Sequence, residues 1–169
     1  MIKYFFIFFI SSYLNTHAQQ TFTANCPTLS KEGLFPKIYT CDSSAIAPPI
    51  AWSNTPIGTQ YFAITMHHIP RDGSKHVYMV VYNIPSNLMG LPQGDNSIGS
   101  WGSNTQNRSL AYSPPCSKGP GVKEYIITVY ALNKQLDFVK GMPVSMDELL
   151  AVAKDNILAS SAFTVKYSR

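Results

Sequence analysis

Charge is what this sequence has least of: Asp, Glu, Lys and Arg make up 13% of the 169 residues, and the formal net charge is only +4. The Lys and Arg residues form no stripe, so the basic footprint of a nucleic-acid-binding surface is missing and no nucleic acid is expected as a partner. Cysteine is scarce too. Cys26, Cys41 and Cys116 are an odd number, which allows at most one internal disulfide and leaves the pair open. The absence of C-x-x-C argues against a redox module or zinc ribbon. No G-x-S-x-G elbow, Walker loop, Rossmann glycine pattern or H-E-x-x-H occurs either, so none of the common catalytic fingerprints is present. No apolar run is long enough for a transmembrane span. What remains is an ordinary globular composition, and its ten Tyr and nine Phe favour sheet over a helical bundle.

The first eighteen residues read as a targeting segment. Lys3 supplies a positive start, "YFFIFFI" an apolar centre, and "THA" a small-residue cleavage site ending at Ala18. The expectation is a signal peptide over 1–18 and a single domain over 19–169, exported to a periplasmic or secreted location. Disulfides persist in such compartments.

Along the rest of the chain, "YFAITMHH" (61–68) and "HVYMVVYNI" (76–84) read as two strands joined by "IPRDGSK", whose Pro and Asp-Gly signal a turn. "EYIITVYAL" (124–132) is apolar on both faces, as a central strand should be, and "AFTVKYS" (162–168) is a short last strand. One helix is clearly marked. Ser145 and Glu148 form a capping box, and Met146, Leu149, Leu150, Ala153 and Ile157 recur at helical spacing. Stretches 40–58 and 86–123 are rich in Pro, Gly, Ser and Asn and read as long functional loops. Trp52 is expected in the core and Trp101 in a loop, while Asp42 is expected to hold a turn.

These loops carry a resemblance. "YTCDSSAIAPPIAWSNTP" (39–56) resembles the "CDG…SPPLxW" segment of the phosphatidylethanolamine-binding protein (PEBP) family, which includes bacterial Raf kinase inhibitor-like proteins. "VVYNIP" (80–85), "PPCSKGPG" (114–121) and "YIITVYAL" (125–132) continue it in order, so that it covers roughly 29–169. The resemblance implies a mostly β fold: a large antiparallel sheet packed on a smaller one, as in a β sandwich, with a C-terminal helix. It also implies a shallow pocket for phosphate-like and carboxylate anions. Cys41 and Cys116 fall in two motifs that border that pocket, which implies a Cys41–Cys116 disulfide with Cys26 left over.

The family builds its pocket from an Asp in "DPDAP", a Trp and a His on the next strand, and a His and Tyr in "GxGxHRY". Here those positions fall on His68, His76, Tyr78, Lys123 and Tyr125 respectively, so only the tyrosine is retained. Exchanging an Asp for His68 and a His for Lys123 makes the pocket more cationic by roughly one to two charges. Alternation places His68 on the face of Phe62, Ile64 and Met66, and His76 and Tyr78 on the face of Val80 and Tyr82.

The reading that follows is a non-catalytic binding module that takes a small anionic ligand at His68, His76, Tyr78, Lys123 and Tyr125. The backbone N–H groups of "SKGPG" would assist it. No cofactor is expected. A metal site on His67, His68 and His76 is the alternative, although its spacing matches no zinc signature. A hydrolase is a further one, with Ser117 a nucleophile by position only. Inhibition of a protease or kinase rests on family analogy.

Overall fold

The computed structural model describes residues 20–117, 120–139 and 142–169. The stretch expected to be a targeting segment therefore lies outside the described residues, as do Lys118 and Gly119 of the Gly-rich motif. Among the described residues, five strands form one antiparallel sheet in the order β6-β4-β3-β7-β8, and three form a second in the order β1-β2-β5. The large sheet comprises β3 (Tyr61–His68), β4 (His76–Pro85), β6 (Ser100–Trp101), β7 (Lys123–Leu132) and β8 (Ile157–Tyr167). The small one comprises β1 (Thr23–Asn25), β2 (Ile50–Ser53) and β5 (Gly90–Leu91).

Two apolar layers hold this arrangement. Between the sheets, Phe22, Ile50 and Trp52 meet Phe62, Ile64, Met66, Met79, Ile127 and Val129. On the outer face of the large sheet, Ala63, Val77, Val80 and Leu132 are covered by Val144 and by Met146, Leu149 and Ala153 of α1 (Met146–Ala153). Burial on both faces explains why β3 and β7 read as nearly continuous apolar runs. The helix starts where its capping box places it, with Ser145 Oγ accepting from Glu148 N–H and the Glu148 carboxylate accepting from Ser145 N–H.

Several boundaries differ from the sequence reading. Ile157 does not continue the helix; it opens β8, which begins five residues before the expected last strand. "IAWS", within the expected loop 40–58, is β2, paired with β1 and β5. Trp52 is in the core as expected, whereas Trp101 is in an edge strand paired with Val81. Both short strands are too brief to show a period.

The most consequential difference is in β4. Met66 pairs with Met79 but His67 pairs with Val77, so Tyr78 is an extra residue in a β-bulge. Tyr78 and Met79 consequently share the inner face, while Val77 and Val80 belong to the outer layer. Simple alternation had put His76 and Tyr78 with Val80 and Tyr82; the bulge turns them to the opposite side. A second irregularity follows at Asn83, whose positive φ of 56° and side-chain bonds to Leu136 N–H and C=O fix the kink.

Candidate functional site

The inner end of β3, β4 and β7 opens into a cavity of about 590 Å³. His68, His76, Tyr78, Lys123 and Tyr125 all line it, together with Gln106, Asn107, Ser113 and Cys116. The β3–β4 register places His68 directly opposite His76. His68 packs on Tyr125 with ring centroids 5.2 Å apart, and Tyr125 meets Tyr78 edge-on at the same separation.

Hydrogen bonds set the state of each imidazole. His68 Nδ1 lies 2.7 Å from the Glu124 carbonyl, which can only accept, so Nδ1 carries the proton and Nε2 is left for the cavity. Ser74 Oγ donates to Asp72 Oδ1 at 2.7 Å, so it accepts from His76 Nε2–H at 3.1 Å. His76 Nδ1 then receives the Gln106 amide at 3.3 Å. The Ser74 bonds hold the Asp72 carboxyl below its usual range, with the nearby His76 a smaller contribution.

The two phenols are the cavity's buried donors. Burial pushes the Tyr78 hydroxyl above its ordinary range; burial, and then the neighbouring Tyr78, push Tyr125 further in the same direction. Both keep their protons at neutral pH. Among the described residues neither hydroxyl has a hydrogen-bond partner, so each has an O–H to offer. Among the described residues no Asp or Glu side chain is in the lining.

The wall facing β4 depends on a residue that the sequence reading passed over. Asn104 is buried, and its side chain ties the loop together: Nδ2 donates to Ser109 O, Ser109 Oγ and Ala111 O, while Oδ1 accepts from Gln106 N and Asn107 N. Gly102 lets this segment run close to β4, since a Cβ there would overlap Val144 O and the Val80 side chain. Thr105 then bonds Val77 through both backbone and side chain, which delivers Gln106 and Asn107 to the cavity. "GSWGSNTQNRS" offered a signal only in its density of Asn and Ser, the residues that fold loops onto their own backbone.

The other candidates lie elsewhere. His67 leaves β3 on the outer side and is absent from the lining, so the three histidines do not converge. Its Nδ1 is buried without a partner, and burial, followed by Lys75, lowers its proton affinity. Among the described residues no group of three or more His, Cys, Asp or Glu could hold a metal ion. Ser117 is fully buried, which closes it to the nucleophilic role its position had offered. The Asp42 side chain ties its segment to the last residues: it accepts from Tyr167 Oη and from the Arg169 guanidinium, with Arg169 Nε at 2.8 Å from Oδ1, while the turn bond goes from Asp42 N–H to Thr40 Oγ1. The bond to Arg169 keeps the Asp42 carboxyl below its ordinary range. Cys41 and Cys116 are joined by a disulfide with 5.4 Å between Cα atoms, and Cys26 is a buried free thiol.

Comparison with known proteins agrees with this architecture. The family model for phosphatidylethanolamine-binding protein matches residues 25–168. A UPF0098 protein of Methanothermobacter thermautotrophicus is 28% identical over 142 residues, covering 81% of this chain and 92% of the relative. A crystal structure titled as a putative PEBP homologue from Chlamydia trachomatis superposes with a TM-score of 0.79 at 23% identity, over 88% of this chain and 97% of that one. YbcL of Escherichia coli, titled a new member of the mammalian PEBP family, gives a TM-score of 0.75 at 20% identity, covering 88% and 98%. On the match of the family model over nearly the whole described chain, the protein belongs to the phosphatidylethanolamine-binding protein family.

Proposed function

We propose that this protein is an exported, non-catalytic binding protein whose cavity takes a small anion: phosphate, carboxylate or a phosphorylated small molecule. The observation that carries this reading is the composition of the lining. One Lys, two His and two tyrosines with unpartnered hydroxyls face one space without a carboxylate among them. An anion entering there meets cationic and O–H donors, and charge-assisted hydrogen bonds are the stronger kind. The targeting segment supports export.

The test is calorimetric titration of sulfate, whose charge is constant, at about pH 5.5 and pH 8, on either side of the ordinary imidazole range. Tighter sulfate binding at the lower pH, weakened by His68→Asn, is the expected result. Zn²⁺ titrated in parallel should show no tight site at the higher pH. Protons compete with a metal for imidazole nitrogen, so strong Zn²⁺ binding there, lost in the same variant, would replace this reading with a metal site. For export, N-terminal mass analysis of the protein from its native host should find a start near Gln19; an intact Met1 on the secreted or periplasmic form would reject it.

A further inference from the structure

The Cys41–Cys116 disulfide joins two unlike surroundings. Cys116 is exposed and belongs to the cavity lining. Cys41 is half-buried, and Arg169 Nη2 lies 3.3 Å from its sulfur. The same guanidinium holds the Asp42 carboxylate, on which Lys37 also acts from nearby. On the cavity side of Cys116 stand Lys123, His68 and His76.

Thiol–disulfide exchange is directional when one sulfur is open to attack and the other departs as the better-stabilised thiolate. Access favours attack at Cys116. A thiolate released at Cys41 would emerge against a guanidinium, the kind of cationic neighbour that favours the ionised sulfur. The cavity's cationic lining would, in turn, gather an incoming thiol that bears a negative charge.

We infer that Cys116 is a site of mixed-disulfide formation with small anionic thiols, which enter through the cavity and expel Cys41. The step balances as an exchange: the incoming thiolate forms a bond to Cys116 Sγ, the Cys41–Cys116 bond breaks, and its electron pair leaves on Cys41 Sγ. The incoming thiol is oxidised to the disulfide level and Cys41 is reduced. The preference for anionic thiols rests on the anion-binding reading of the cavity, whereas the choice of sulfur rests on exposure and Arg169 alone.

The test uses the oxidised full-length protein and three probes at equal thiolate concentration: 2-mercaptoethanesulfonate, neutral 2-mercaptoethanol and cationic cysteamine. After acid quenching and alkylation, peptide mapping should find the adduct on Cys116 and the alkyl group on Cys41. The sulfonate thiol should react several-fold faster than cysteamine, and added sulfate should narrow that gap. Arg169→Gln should slow the exchange several-fold for every probe. An adduct on Cys41, an even split between the two sulfurs, or a rate indifferent to thiol charge would each overturn the inference. Calorimetry keeps it separate from the proposed function: sulfate that binds without affecting the exchange rejects only the anionic-thiol route, whereas the absence of sulfate binding rejects the cavity's reading as an anion site.

Discussion

His67 and His68 are adjacent in the chain and opposite in circumstance. His67 faces the helix-covered side of the large sheet, where its ring nitrogen is buried without a partner and burial disfavours its charged form. His68 faces the cavity, its Nδ1 bonded to a carbonyl and its Nε2 turned to the open space. The comparison teaches that residue type says little about role until the face is known. It also divides the sheet: the outer side, under α1, is a layer of packing, and the inner end is where polar groups are left available.

The sharpest way to break this division is to damage the outer layer and measure the cavity. Leu149 of α1 is fully buried against the outer face of the sheet, so Leu149→Ala should destabilise the protein by about 2–5 kcal/mol in urea unfolding. Sulfate affinity of the folded fraction should be unchanged, and a parallel loss of affinity would show that the two sides are not separable. Asn104→Ala acts on the cavity wall and should cost about 1–3 kcal/mol, because the N–H and C=O groups that it serves lose their partner. Unlike Leu149→Ala, it should also weaken sulfate binding, as Gln106 and Asn107 lose their anchor.

His68→Asn sharpens the contrast from the other direction. Sulfate should bind about tenfold more weakly, equivalent to about 1.4 kcal/mol, with the unfolding midpoint nearly unmoved. The smallest effect belongs to His67. Its proton affinity is lower in the folded protein than in the unfolded chain, so the unfolded chain binds more protons as pH falls. Its contribution is therefore fully present above the ordinary imidazole range near pH 6.5, and is lost as pH falls from there through the folded value. His67→Gln should flatten that part of the stability profile. An unchanged slope would assign the acid sensitivity to other groups.

Much of this was legible from composition and spacing. The three long inner strands, the capping box at Ser145 and the core position of Trp52 follow from period, turn residues and size. The convergence of His68 with Lys123 and Tyr125 required the family resemblance, because β3 and β7 are distant in sequence and their register is a tertiary matter. Three things escaped. β2 and β6 are too short to register a period. Tyr78 sits in a bulge, which alternation cannot anticipate since its signal is one unpaired residue in an otherwise regular run. Asn104 works through a local web of hydrogen bonds within a loop, and several nearby Asn and Ser residues looked equally suited to that task.

The bulge at Tyr78 has an evolutionary side. Were β4 regular, His76 and Tyr78 would point beneath the helix, and any exchange there would be tested by tight packing. Set out of phase, they line the cavity instead, His76 half-buried at its rim and Tyr78 packed edge-on against Tyr125. His76 is thereby insulated from the scaffold that carries it, whereas Tyr78 still belongs to the core. An exchange at His76 can therefore alter the cavity's lining while the fold stays intact, whereas one at Tyr78 must also fit the core.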